Sequence, residues 1–205
     1  NNIICTDEKE IFVVEAVADQ LKAILKAHGA VELTPDQTDR LLKTILAENR
    51  GPGQQSVVNK TFVGQNANVL LAQIGLETNT ATRLIVTEVD DPRHPLVWTE
   101  MLMPIIPLVR VANVFEAIEL AVEAEHGFLH TAVMHSKNLD HLSLMARAFQ
   151  GSIFVKNGPN LAGVGYAGEG YCSFTIASPT GEGLTSAKDF SRVRRCVLKD
   201  SFRII

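Results

Sequence analysis

Cysteine is scarce: the 205 residues hold three, Cys5, Cys172 and Cys196. The count is odd, the spacing is wide, and no Cys-x-x-Cys occurs. Neither a disulfide framework nor a structural zinc site is expected. The cytoplasm, a reducing compartment, is the expected location. Apolar runs are short as well. None approaches the roughly 18 residues of a spanning helix, and Pro104 and Pro107 break the longest. No membrane partner and no secretory leader are therefore expected. No block of one charge sign exists; the net charge is -4 with both signs spread along the chain, so no nucleic-acid partner is expected. The six histidines offer no His-x-x-x-His or Glu-x-x-His on one helix. His126 and His130 straddle a helix end at Gly127, so no metal is expected. The Walker pattern is absent. Gly163-x-Gly165-x-x-Gly168 has the spacing of a dinucleotide loop but no strand–turn–helix context.

What is present suits one substantial core: 46% of residues are hydrophobic. Ile11 to Val14 is short, apolar and unalternated, the pattern of a strand buried on both faces. Glu15 to Ala27 reads as an amphipathic helix stopped at Gly29. Thr34-Pro35-Asp36-Gln37 starts a second helix, with a Thr cap and Pro in the first turn. Gly51 to Gly64 reads as loop, Asn66 to Ile74 as a short helix, and Arg83 to Val89 as a strand. From Ile105 the order is strand, helix, strand, helix, strand, ending at Lys156, which predicts parallel pairing with right-handed crossovers. The fold class is thus α/β, a three-layer open parallel sheet. Gly158 to Gly183 is glycine-rich, and Arg192 to Leu198 is strand-like again. That late strand is expected to pair with another chain or domain.

Among chemical candidates Cys5 stands first, in a polar segment just before a strand. A nucleophilic cysteine needs exposure and a stabilised thiolate. The competing reading is a small residue near a chain end. Glu100 taken alone is a solvated acid, unless it points into a cleft at the end of the strand that follows. Asn157 and Asn160 read as loop residues able to line a pocket after the preceding strand.

Several stretches resemble the catalytic domain of the aldehyde dehydrogenase superfamily: Thr99-Glu100-Met101-Leu102-Met103-Pro104, Phe115-Glu116-Ala117-Ile118, Gly127-Phe128 and Gly151-Ser152-Ile153-Phe154-Val155. Asn1-Asn2-Ile3-Ile4-Cys5, His94-Pro95-Leu96-Val97 and the run from Tyr166 to Ile176 resemble its CoA-acylating branch. These are the acetaldehyde and propionaldehyde dehydrogenases of ethanolamine and propanediol utilisation. The resemblance spans essentially the whole chain.

The resemblance implies that Cys5 is the catalytic thiolate and that NAD and coenzyme A are used. A short-chain aldehyde forms a thiohemiacetal on Cys5, is oxidised to a thioester, and leaves as acyl-CoA. The Cys5 backbone N–H is implied as an oxyanion donor. Glu100 is implied as a ligand of the nicotinamide ribose. Leu102 stands where the usual Glu-Ile-Phe-Gly-Pro has Phe, so it is implied at the cofactor. Ile4, Thr6 and Phe174 are implied beside the aldehyde. The resemblance also implies a catalytic domain over residues 1–165 and a C-terminal loop and strand segment over 166–205. It implies a dinucleotide-binding domain that precedes the cysteine and is absent here, so the isolated chain is expected to be weak or inactive. A homo-oligomer is implied for the full-length protein, and some members reside in bacterial microcompartments. The rival readings are a CoA-independent aldehyde or semialdehyde dehydrogenase fragment and a non-catalytic assembly module.

Overall fold

A computed structural model describes residues 3–168, 175–178 and 180–199. The chain runs β1 (Ile11–Val14), α1 (Glu15–Ala27), β2 (Ala30–Leu33), α2 (Pro35–Ile45), β3 (Leu46–Glu48), β4 (Val57–Val58) and α3 (Ala67–Ala72). It continues through β5 (Leu84–Glu88), α4 (Pro95–Trp98), β6 (Ile105–Val111), α5 (Val114–Ala124), β7 (Thr131–Met134), α6 (Leu139–Phe149) and β8 (Ile153–Lys156). A 3-10 turn at Asn160–Val164, the short strands β9 (Ile176–Ala177) and β10 (Gly183–Leu184), and a second 3-10 turn at Ala187–Phe190 complete it.

Four strands form one parallel sheet in the order β1-β6-β5-β2. The pleat sends alternate side chains to opposite faces, and both faces are covered. Ile85 and Ile105 join a core with Leu41, Leu42 and Ile45 of α2 and Leu70 and Leu71 of α3. Their neighbours Val86, Ile106 and Leu108 face the other way, against Ala18, Leu21 and Leu25 of α1. Toward β1, Val109 and Val111 meet Ala117 and Leu120 of α5. This is the expected helix–sheet–helix layering, and it explains why Ile-Ile-Pro-Leu-Val-Arg-Val in β6 shows no alternation.

Helix starts match their chemistry. Thr34 and Gln37 form a reciprocal capping box. The Asn113 side chain accepts from the N–H groups of Phe115 and Glu116, and Asn138 does the same for Asp140 and His141. Gly29 turns α1 into β2 at φ +92, where an added Cβ would lie 2.9 Å from the Ala81 carbonyl oxygen.

The structure departs from the sequence reading in several places: β4 lies inside the stretch read as loop and pairs antiparallel with β3, and Pro95–Trp98 forms the short helix α4. β2 was not anticipated: Ala-Val-Glu-Leu is an edge strand with a charge in it. The strands after Ile105 do not build one continuous ladder among the described residues. β7 and β8 pair in parallel with each other, while β6 lies between β1 and β5. Arg192–Leu198, expected to pair with another chain or domain, is exposed along its length, with Val193 at 99% exposure, and is unpaired with the described strands of its own chain.

Candidate active site at the amino edge of the sheet

Open parallel sheets ordinarily hold ligands beyond the carboxyl ends of their strands. Here the sequence-predicted residues gather at the opposite edge. Cys5 lies just before β1, and Glu100 and Leu102 lie just before β6. These two strands are neighbours in register, with Ile11 opposite Leu108. Parallel pairing therefore brings together two lead-in segments that are far apart in sequence.

Cys5 is exposed. It sits in a turn closed by the Asp7 N–H donating to the Ile4 carbonyl at 3.1 Å. Ile4 is half-buried. Thr6 is buried, and its Oγ1 has no hydrogen-bond partner among the described residues. Ile4 and Asp7 line a cleft of about 50 Å³ together with Lys9, Glu100, Leu102 and Ile105. That is room for a few waters or the edge of a ligand. Burial pushes the Asp7 carboxyl above its ordinary range, and the nearby carboxylates of Glu8 and Glu100 push the same way.

Glu100 is exposed. Leu102 is half-buried, with φ +53. The left-handed conformation costs a non-glycine residue about 1–2 kcal/mol, so Leu102 is held there by its surroundings. The Gly64 N–H donates to its carbonyl at 2.9 Å, and Met101 and Met103 on either side are buried. Phe174 lies outside the described residues, as does Cys172.

Three more residues belong to this neighbourhood. Asn160 is buried, and its backbone N–H donates to Glu8 Oε1 at 3.1 Å. His126 takes a left-handed turn with Gly127 at the end of α5. Its ring meets Trp98 edge-on, with centroids 4.5 Å apart. Burial, then the Lys9 ammonium, hold its pKa below the ordinary histidine value. Burial also lowers His130, against the opposing pull of Glu100 and Glu125. His94, by contrast, caps α4 with its Nδ1. The one sequence signal was the His-Gly pair closing α5.

Other sequence candidates find structural roles. Asn157 bonds both the N–H and the carbonyl of Ser136, tying β8 to the loop after β7. Gly163 lets its 3-10 turn lie on Ile153, where a Cβ would come within 2.2 Å of a side-chain carbon, and a Cβ on Gly168 would lie 2.8 Å from the Ala162 carbonyl oxygen. Cys196 is exposed. Among the described residues no three His, Cys, Asp or Glu side chains are grouped as metal ligands, and no helix is long and apolar enough to cross a membrane.

The carboxyl side of the sheet carries an ion-pair network instead. Lys22 bonds Glu32 at 2.9 Å and Glu88 at 2.6 Å. Arg110 bonds Glu88 and Asp19 at 2.8 Å each. The Arg110 guanidinium, with Lys22 beside it, outweighs burial and pulls the Glu88 carboxyl down to about 2. The network fastens α1 across β2, β5 and β6.

No family model matches the sequence. The acetylating acetaldehyde dehydrogenase EutE of Salmonella typhimurium is 50% identical over 207 aligned positions, covering 100% of this chain and 44% of that protein. The CoA-propanoylating propanal dehydrogenase of the same organism is 45% identical, covering 99% of this chain and 42% of that protein. A solved propionaldehyde dehydrogenase from Rhodopseudomonas palustris, with bound CoA and an acylated cysteine, is 47% identical with a TM-score of 0.88. The alignment covers 97% of this chain and 44% of that one. By sequence and fold the chain matches a fragment of an aldehyde dehydrogenase. The relatives it matches are CoA-acylating acetaldehyde and propionaldehyde dehydrogenases, and it spans less than half of their length.

Proposed function

We propose that the full-length protein oxidises a short-chain aldehyde to its CoA thioester, with Cys5 as nucleophile. The observation that carries this reading is the exposed Cys5 turn, whose Ile4 and Asp7 line a cleft together with Glu100 and Leu102 of the segment leading into the adjacent strand. Kinship supports it: the Rhodopseudomonas palustris enzyme was solved with CoA and an acylated cysteine, and an engineered glycolyl-CoA reductase 48% identical to this chain was solved with NADP+.

The Cys5 thiolate forms an S–C bond to the aldehyde carbon, and the carbonyl oxygen becomes the oxyanion of a thiohemiacetal. The Cys5 backbone N–H is assigned to that oxyanion, which a preorganised donor stabilises without reorganisation. A bound nicotinamide supplies the hydride acceptor, and loss of hydride from the thiohemiacetal leaves a thioester on Cys5. The CoA thiolate adds to that carbonyl, the Cys5–carbon bond breaks, and Cys5 returns as thiolate. A cysteine serves both halves because a thiolate both attacks and leaves well.

The chain's residues fit one end of the cofactor. The exposed Glu100 carboxylate is an acceptor suited to a ribose diol, and Leu102 presents its half-buried side chain beside it. Ile4 and Thr6 are assigned to the aldehyde pocket, and Phe174 with them from the family resemblance alone. The cleft has room for the edge of a ligand, and we assign the rest of the cofactor site to other parts of the full-length protein. We assign residues 1–165 to the catalytic domain and 166–205 to a segment that contacts another domain or subunit. Residence in a bacterial microcompartment is part of the proposal, and kinship with a propionaldehyde dehydrogenase of a fucose-utilisation microcompartment supports it.

The test is NADH formation by the full-length protein with acetaldehyde or propionaldehyde, with and without CoA. Acyl-CoA formation that disappears in Cys5→Ala is expected. Acid rather than acyl-CoA as the product, or full turnover by Cys5→Ala, overturns the reading.

A further inference from the structure

Three charged residues, Glu8-Lys9-Glu10, join the Cys5 turn to β1. Lys9 and Glu10 are partly buried, and Glu8, though exposed, has a backbone partner. Lys9 Nζ donates to the carbonyl of Val97 in the last turn of α4 and to that of Ala124, the last residue of α5, at 3.3 Å. It also pairs with the Glu10 carboxylate at 2.9 Å. Helix carboxyl ends leave carbonyls unpaired and favour a cation, so one ammonium satisfies two helices at once. One residue earlier, the Glu8 carboxylate accepts the N–H of Asn160, the first residue of the 3-10 turn after β8. Within four residues of Cys5 the chain is thus fixed to α4, to α5 and to the β8 side.

We propose that Lys9, with Glu8 as a second strap, is a positioning residue for Cys5. The two side chains set where the turn 4–7 stands relative to the cleft before β6, and neither reacts. The inference rests on the reading of Cys5 as nucleophile. Its rival is that Lys9 merely neutralises the buried Glu10, whose carboxyl burial pushes up and Lys9 pulls down.

The experiment separates the two in the full-length protein. Lys9→Met removes the anchor but leaves Glu10 buried without its cation, so some loss of Tm is expected from that alone. Lys9→Met/Glu10→Gln removes both charges and is expected to regain most of the Tm. If Lys9 positions Cys5, the double variant still shows kcat for acyl-CoA formation reduced about 10- to 100-fold with aldehyde KM within about threefold, since a misplacement near 1 Å costs about that much. The Asp7 amide, which closes the turn, then exchanges with solvent about 10-fold faster than in the wild type, a local opening visible without turnover. Glu8→Gln keeps the acceptor for Asn160 and retains kcat, whereas Glu8→Ala does not. A double variant with wild-type kcat and wild-type Asp7 exchange overturns the proposal, as do equal activities of Glu8→Ala and Glu8→Gln. Turnover surviving in Cys5→Ala would instead refute the nucleophile, while Asp7 exchange still reports whether Lys9 holds the turn.

Discussion

The Gly64 backbone N–H donates to the Leu102 carbonyl at 2.9 Å, so a loop ahead of α3 holds a left-handed residue of the candidate site. Strain of this kind persists only where the surroundings over-determine it. Gly64 itself sits at φ +74, and an added Cβ would approach Ile3 Cδ1 to 3.0 Å. Gly64→Ala is therefore expected to cost about 1–2 kcal/mol through the left-handed backbone. Urea unfolding checks this: the midpoint should fall with the slope unchanged. An unmoved midpoint would mean that the loop yields freely and does not hold Leu102.

Thr38 Oγ1 and Thr87 Oγ1 lie 2.6 Å apart in the core, and Thr38 Oγ1 also lies 3.0 Å from the Thr34 carbonyl. A hydroxyl has one proton. If Thr38 donates to Thr34, Thr87 is the donor between the two threonines. Thr87→Val then removes one neutral hydrogen bond, at about 1 kcal/mol, while Thr38→Val strands the buried Thr87 hydroxyl, at about 1–3 kcal/mol. Thr38→Val should be the more destabilising in side-by-side denaturation. The reverse order would show that Thr38 donates to Thr87.

Glu88 carries the acid sensitivity of the sheet. Its carboxyl is lowered from an ordinary 4.5 to about 2 by Arg110 and Lys22. The contribution is complete above pH 4.5 and is lost as pH falls toward 2. Glu88→Gln is expected to cost about 1–2 kcal/mol at neutral pH, because charge-assisted bonds are strong but partly solvated pairs are screened. Between pH 4.5 and 2 the variant's stability should fall less steeply than the wild type's. Raising the salt concentration should narrow the neutral-pH gap. Parallel acid profiles for the two proteins would remove Glu88 as the group responsible.

What was legible in the sequence was whatever one face of packing dictates. β6 is enclosed on both sides and reads as an unbroken apolar run. The caps at Thr34, Asn113 and Asn138 read directly because the cap chemistry is local. β2 did not read, because Glu32 interrupts it and becomes tolerable only when Lys22 and Lys26 arrive from α1. Chain order after Ile105 suggested one ladder, but the neighbours of β6 come from β1 and β5, a choice made by packing and not by sequence adjacency. Resemblance picked out Cys5 and Glu100, but their position at the amino edge depends on the β1–β6 register. The inward turn of Lys9 and the Glu8 bond to Asn160 had no signal at all, since charged residues before a strand ordinarily face water.

His130, at the start of β7, reports on the cleft from a third direction. Burial lowers its pKa below 6.5, and the Glu100 carboxylate opposes that shift. Its backbone N–H donates to Glu125 Oε1 at 2.9 Å, so Glu125 is the second opposing charge. Glu100→Gln removes one of the two and should move the His130 midpoint further below 6.5, with Glu125→Gln acting in the same direction. Because the folded value lies below the unfolded one, the His130 contribution to stability is present above pH 6.5 and is lost as pH falls below it. Imidazole resonances followed by NMR against pH, with His130→Gln for assignment, give the midpoints directly. The shift should shrink in high salt, as expected of a partly exposed charge pair. A midpoint that rises or stays fixed in Glu100→Gln would place the Glu100 carboxylate out of electrostatic reach of β7, and the cleft would then be built from β1 and β6 alone.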